Sequence, residues 1–488
     1  MKDLQPAPCS GFSASQACRT NFLFITAQRA SWTSIAYNFK LRVLIVKGVT
    51  LTALEKSWDR LTSPVSLRIP ASRYDQYMHL GRNGADQQAR CVISFAGRIN
   101  ADQMAHAVRL TVDVEPVLGC RFVVRPWRPY WERRDDLDQI ELLSVVKGAH
   151  LKDELWQFVT TPLDPFVDPQ VQASIFRSDR DTLCIKLNHV AADGEGVKQY
   201  AYLLAATYRK LTTDPSYRPE PNLRGSRCQI QIIKHLGLMR KARAFRRSIS
   251  PWPVWGFPAV RGNLSERAFV VRRVRPMRFG VIKEYGYQHQ ASVNDVVLTA
   301  FYRALFEIVD PPAGIPLPVQ VPIDLRRYLT QGEASPICNC LGALYPSITR
   351  ESGESFDDTL TRIQEVMRAI KADNPGLGEP LYLGLLFKLG FGRAKYISDK
   401  IMERLIKSGK SHPFFSNLGI INERQLDFGD VEATDAFVLS LVDYPPHFML
   451  AVSTYRGTMT FTVGFCNAMV QRPVIECFFN LFESELPG

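Results

Sequence analysis

The sequence predicts an α/β protein built as two domains with mixed sheets, and three observations carry that expectation. At 488 residues the chain exceeds what one ordinary core fills. Strand and helix patterns alternate from about residue 89 to 208, and again from 266 onward. Between these regions, 211–265 breaks the alternation with proline- and glycine-rich stretches on either side of a basic helix. The expected division is a poorly patterned extension at 1–65, a first α/β domain at 66–210, a connection at 211–265 and a second α/β domain at 266–488.

The elements follow in order. "ARCVISFAGRI" (89–99) alternates Cys91, Ile93 and Phe95 against Val92, Ser94 and Ala96, as a strand does. Asn100 then caps a helix that sets Met104, Ala107, Val108 and Val112 on one face. "GCRFVVRP", "QASIFRS" and "TLCIKLNHV" read as further strands. In the last of these, Leu183, Ile185 and Leu187 alternate with Cys184, Lys186 and Asn188, the pattern of a half-buried strand. Val197, Ala201, Leu204 and Tyr208 recur at helical spacing behind it. The basic segment "QIQIIKHLGLMRKARAFRR" (229–247) reads as one helix within the connection. Beyond it, "VVRRVRPMRF" (270–279) is strand-like, and a helix begins at 292–294 with Ser292 or Asn294 as cap. "LPVQVPIDLRRYL" is a strand that runs into a loop at Pro322–Arg326, and a further helix covers 356–372. "FFSNLGII" (414–421) reads as a loop, followed by strands at 437–442, 448–456 and 458–466.

Composition narrows the function classes. The hydrophobic content of 46% and charged content of 22% are those of a folded soluble protein. No uninterrupted apolar run is long enough for a membrane span, and the first residues lack a secretory pattern, so a cytoplasmic location is expected. The ten cysteines lack paired spacing; Cys338 and Cys340 in "PICNCLG" have no second ligand pair, so neither a structural zinc site nor a disulfide framework is expected. The net charge of +12 is uneven, because no acidic residue lies between Glu220 and Glu266 while Arg224, Arg227, Lys234, Arg240, Lys241, Arg243, Arg246, Arg247 and Arg261 do. Such a stretch attracts phosphate-bearing partners, or is simply a solvated basic helix. There is no GxSxG elbow, Walker loop or HExxH motif.

Chemistry concentrates in "KLNHVAADGEGVKQY" (186–200). It delivers His189 at the C-terminal end of a strand, and Asp193 stands at the N-cap of the following helix, before Gly194. A strand end beside a helix start often opens onto a ligand cleft. An imidazole there can take a proton from an alcohol, amine or thiol without a metal. Asp193 can either orient the ring or pin the loop through an arginine. His412, before Pro413, and His447, after Pro446, read as surface or packing residues.

"HVAADG" (189–194) resembles the HxxxDG signature of the acyltransferase superfamily that includes chloramphenicol acetyltransferase (CAT), condensation domains of nonribosomal peptide synthetases, plant BAHD acyltransferases and bacterial wax ester synthases. Further stretches resemble that family in order: "EPVLGCRF" (115–122, with Gly119 in place of an arginine), "SVNDVVLTA" (292–300), "VPIDLRRYL" (321–329) and "FFSNLG" (414–419). Asn188 stands where many members have a first histidine. "LDFGD" (426–430) lacks the tryptophan of the BAHD DFGWG motif and reads as a turn.

The resemblance, which spans about residues 66–488, implies two CAT-like domains with an active-site tunnel between them, entered from both faces. It implies His189 as the base that deprotonates an acceptor for attack on a thioester, either acyl-coenzyme A or a carrier-bound phosphopantetheine thioester. No permanently bound cofactor or metal is expected. Asp193 would be structural and ion-paired to an arginine, with Arg326 the candidate and Arg68, Arg73 and Arg121 the competitors. Ser416 or Asn417 would donate to the oxyanion. Expected partners are the thioester donor and a small-molecule or lipid acceptor. The basic segment and the mixed helix at 391–410 suit a membrane surface or an acidic carrier protein equally. Nucleic acid is not an expected partner, and a monomer is expected. The competing readings are a condensation-type enzyme on carrier-bound substrates and a degenerate member that only binds.

Overall fold

The computed structural model describes residues 67–222, 226–260, 262–329 and 336–488. The expectations for 1–65, and for Arg224 and Arg261, lie outside these residues. The chain begins with β1 (Arg68–Pro70), α1 (Arg73–Leu80), β2 (Gln88–Phe95) and α2 (Ala101–Val114). Asn100 caps α2, its side-chain oxygen accepting from Gln103 N at 3.1 Å. There follow β3 (Cys120–Val123), β4 (Tyr130–Arg133), β5 (Leu143–Lys147), α3 (Leu151–Thr160), β6 (Val171–Arg177), β7 (Thr182–Asn188) and α4 (Gly194–Thr213). Strands β2, β7, β6 and β5 lie side by side; β5 and β6 run parallel and the other pairs antiparallel, so the sheet is mixed.

The basic segment differs from its expected single helix. It folds as α5 (Ile230–Ile233) and α6 (Leu238–Ser248), because Gly237 between them takes an extended backbone at φ −62°, ψ 158° and starts the second helix afresh. The strand expected over 270–279 is also corrected. β8 (Arg267–Val274) stops before Pro276, which opens α7 (Pro276–Gln288) at the one helical position where a missing N–H costs nothing.

Ser292 caps α8 (Val293–Val309) through a reciprocal box with Asp295. Then come β9 (Leu317–Pro318), β10 (Val321–Asp324), β11 (Leu341–Leu344), β12 (Ser347–Ile348), α9 (Phe356–Lys371), α10 (Gly378–Leu386) and α11 (Phe391–Ser408). The expected loop at 414–421 is instead a strand, β13 (Phe414–Ile420). It precedes β14 (Ala433–Leu439), β15 (Val442–Asp443), β16 (Met449–Tyr455), β17 (Thr458–Cys466) and α12 (Arg472–Glu485). β13 reads as a loop because its pattern does not alternate, yet pairing parallel to β16 supplies the hydrogen bonds that hold it.

The second mixed sheet runs β13-β16-β17-β15, with β8 also paired to β17. β14 leaves this half of the chain and pairs antiparallel with β2 on the first sheet. Helices α2 and α4 cover one face of the first sheet around Ile93, Ile185 and Leu204. Helices α8 and α12 cover the second around Phe301, Phe461 and Phe478. A third apolar cluster joins the sheets: Val92, Cys184 and Phe437 meet Phe269 of β8. This corrects the half-buried reading of β7, since both of its faces are covered. Even Lys186 is buried, its Nζ donating to Phe158 O at 3.2 Å and Thr161 O at 2.7 Å.

Candidate active site

β7 ends at Asn188, and a five-residue turn carries the chain to α4. Asn188 is buried; its side-chain oxygen accepts from Val190 N at 3.0 Å, and its carbonyl accepts from Ala191 N at 2.9 Å. The turn is fixed from outside by Asn339, whose Nδ2 donates to His189 O at 2.9 Å and Val190 O at 3.0 Å. His189 N donates to Gln87 O at 2.8 Å. Its backbone is thereby held on both sides.

The His189 ring borders a cavity of about 880 Å³. Nδ1 is enclosed and makes no hydrogen bond among the described residues, which leaves Nε2 as the nitrogen on the cavity side. Burial pushes the imidazole pKa below its ordinary 6.5, against the opposing pull of Asp193, the His189 carbonyl and Asp86. The ring is therefore neutral at pH 7 and able to accept a proton.

Asp193 is 3% exposed and fully engaged. Oδ1 accepts from Gly196 N at 2.8 Å, capping α4, and Oδ2 accepts from Cys340 N at 2.7 Å. Arg326 Nη1 and Nη2 grip the two oxygens at 3.1 Å each. Burial raises the carboxyl's pKa, but the Arg326 charge and these hydrogen bonds outweigh it and hold the group below its ordinary range. Arg326, in the short helical turn Leu325–Tyr328 that follows β10, also donates to Cys338 O at 2.6 Å and Asp324 Oδ1 at 3.1 Å. None of the hydrogen bonds of Asp193 goes to His189, so the aspartate holds the turn rather than relaying a proton. Arg68 and Arg121 both pair with Glu132 instead.

Gly194 lets the chain of β13 come close: a Cβ there would lie 2.3 Å from Leu418 Cδ2. Lys198 of α4 reinforces that approach, its Nζ donating to Leu418 O at 2.6 Å while pairing with Glu195 at 2.7 Å. Ser416 and Asn417 of β13 both border the cavity with His189. The Asn417 amide is occupied, Nδ2 donating to Asn294 Oδ1 at 3.1 Å and Oδ1 accepting from Gly419 N at 2.9 Å. The Ser416 hydroxyl makes no hydrogen bond among the described residues, and Asn417 Nδ2 keeps a second proton, so both residues have a proton to donate.

Several residues in and behind the site escape sequence reasoning. Asn339 lies between the two cysteines judged unfit for a metal; what that segment contributes is backbone, through Cys338 O and Cys340 N, together with the Asn339 amide. Arg227, from the basic stretch, has its side chain 11% exposed and joins Asp75 Oδ1 at 2.8 Å to Ala191 O at 2.7 Å, behind the turn. His412 and His447 are not surface residues but border the cavity. Each is tied by packing hydrogen bonds, His412 Nε2 to Pro251 O at 2.9 Å and His447 Nδ1 to Ser411 Oγ at 2.7 Å. Burial, helped by His412, pushes His447 down to about 4. No cluster of metal-ligating side chains occurs among the described residues.

No protein-family model matches the chain, and no curated protein matches its sequence. Solved structures do match its shape. A trichothecene 15-O-acetyltransferase from Fusarium sporotrichioides superposes with a TM-score of 0.68 at 12% identity, covering 86% of this chain and 94% of that one. The first condensation domain of the calcium-dependent antibiotic synthetase gives 0.61 at 16% identity, covering 87% and 97%. Polyketide synthase associated protein 5 from Mycobacterium tuberculosis gives 0.59 at 16%, covering 85% and 97%. The chain has the condensation-domain fold. At these identities the likeness establishes architecture alone: two mixed sheets with helices on their outer faces. Among the described residues no helix is long and apolar enough to cross a membrane.

Proposed function

We propose that the chain is an acyltransferase that moves an acyl group from a thioester to an alcohol or amine, with His189 as general base. The observation that carries this reading is the His189 ring itself: neutral, anchored through its backbone by Asn339 and Gln87, with Nε2 toward a large cavity. Nε2 takes the acceptor's proton as its oxygen or nitrogen attacks the thioester carbonyl. The tetrahedral oxyanion accepts from the Ser416 hydroxyl. Collapse breaks the C–S bond, and the departing thiolate recovers the proton from the imidazolium. Asp193 and Arg326 position the turn and do not touch the reacting atoms. The cavity wall supports a donor and acceptor with apolar bodies, since α11 turns Ile397, Ile401, Met402 and Leu405 toward it.

His189→Ala should lower acyl transfer about 10²- to 10⁴-fold in a thiol-release assay across acyl-coenzyme A chain lengths and a panel of alcohols and amines. Near wild-type turnover in that variant would remove His189 as the base. Because the imidazole pKa is lowered, activity should fall only as the pH drops below 6.5. Failure of every free coenzyme A donor, with turnover on a carrier-loaded thioester, would select the condensation-type form of the reaction. The shape of the first condensation domain of the antibiotic synthetase favours keeping that form in the test.

A further inference from the structure

The same cavity has a second polar region, which the reaction above does not use. Glu379, in the first turn of α10, borders the cavity and is 8% exposed. Its carboxyl makes no hydrogen bond or ion pair with any described residue, and no arginine or lysine opposes its charge. Burial alone pushes its pKa up to about 7. The start of a helix, in contrast, favours the ionised form.

Three tyrosines share the cavity wall with this carboxyl: Tyr77 from α1, Tyr345 after β11 and Tyr382, about one helical turn on in α10. Glu379 raises the pKa of each, as the leading cause at Tyr77 and second to burial at Tyr345 and Tyr382. The hydroxyl of Tyr74 is raised by both Glu379 and Asp193, so this region lies beside the anchored turn.

Apart from Asp443, the other charged groups of the wall are already matched. Arg326 holds Asp193, and Lys198 holds Glu195 and Leu418 O. Asp443 also borders the cavity, but its unpartnered Oδ2 is enclosed, and burial with the nearby Asp86 raises its pKa well above the ordinary value. A carboxyl kept from water without a partner is costly, and a cationic ligand regains that cost on binding. Aromatic walls suit such a ligand further. A phosphate-bearing group would be repelled.

We infer that Glu379, Tyr77, Tyr345 and Tyr382 form a subsite for an ammonium group on the acceptor, separate from the atom that is acylated. The acceptor is then an apolar molecule bearing a cationic nitrogen, a class that includes long-chain amino alcohols and diamines. This deepens the acyltransferase reading and rests on it for the word acceptor; the subsite itself is read by binding alone.

The test is calorimetric titration of the full chain at pH 8 with n-octylammonium and with n-octanol, which match in apolar length and differ in charge. Octylammonium should bind about tenfold or more tightly than octanol. Glu379→Gln should weaken octylammonium about tenfold and leave octanol within about twofold. His189→Ala should keep the preference for octylammonium over octanol, so loss of catalysis and loss of the subsite are separate results. Equal affinities for the two ligands in the wild type, no measurable octylammonium binding, or unchanged ammonium affinity in Glu379→Gln would each overturn the inference. If Glu379→Gln does not fold, the comparison of the two ligands on the wild type decides alone.

Discussion

Asp193 and Glu379 are both carboxyls at the first turn of a helix, on the wall of one cavity, and they sit in opposite electrostatic states. Asp193 meets a bidentate arginine and two backbone N–H groups, and its pKa falls. Glu379 meets tyrosines and cavity, and its pKa rises to about 7. A carboxylate completed by its own chain holds a shape. One left incomplete is available to something the chain does not supply. That contrast divides the site into a fixed side, which aims His189, and an open side, which can select a ligand.

The largest effect should come from breaking the fixed side. Arg326→Ala leaves Asp193 buried without its cation and should cost about 3–5 kcal/mol of stability, read by urea denaturation. A loss below about 1 kcal/mol would mean that the pair is not what holds the turn. The stability conferred by Asp193 itself is present above its unfolded pKa near 3.8 and is lost as the pH falls through that range.

The open side should respond with the reverse sign. Because the folded-state pKa of Glu379 lies above its ordinary 4.5, its stabilising contribution is full in acid and is lost as the pH rises through about 7. Glu379→Gln cannot ionise, so at pH 8 it should be more stable than the wild type by up to about 3 kcal/mol, and indistinguishable at pH 4. Equal stability at both values would show that the carboxyl is solvated or paired after all.

Smaller changes sharpen the picture. Asn339→Ala removes the two bonds to the carbonyls of His189 and Val190 and should cost about 1–3 kcal/mol, with a loss of turnover exceeding any change in acceptor KM. The smallest effect belongs to Asp427→Asn. Its pairing with Arg209 is solvent-exposed and should be worth under about 1 kcal/mol, with activity unchanged. That outcome would confine "LDFGD" to the turn it forms, where Gly429 N donates to Asp427 Oδ1 at 2.9 Å.

Much of the fixed side is legible along the chain, because its parts act over short separations. The alternation in 183–188 makes a strand, Asp193 reaches Gly196 three residues on, and the apolar spacing behind it makes α4. The strand's burial on both faces is not legible, since nothing in 183–188 announces that β8 and α3 will cover its second side. β13 is missed for the same reason: its backbone bonds are made to β16, more than thirty residues later.

What the sequence determines by itself is therefore a histidine at a strand end before a capped helix, within an α/β chain. Four arginines compete on paper for Asp193, and only the packing of β10 and the Cys338–Cys340 segment against α4 brings Arg326 to it. The state of Glu379 is decided by tertiary structure alone. Periodicity and capping record interactions between near neighbours, whereas a pKa depends on every group and every water molecule that folding brings close or shuts out.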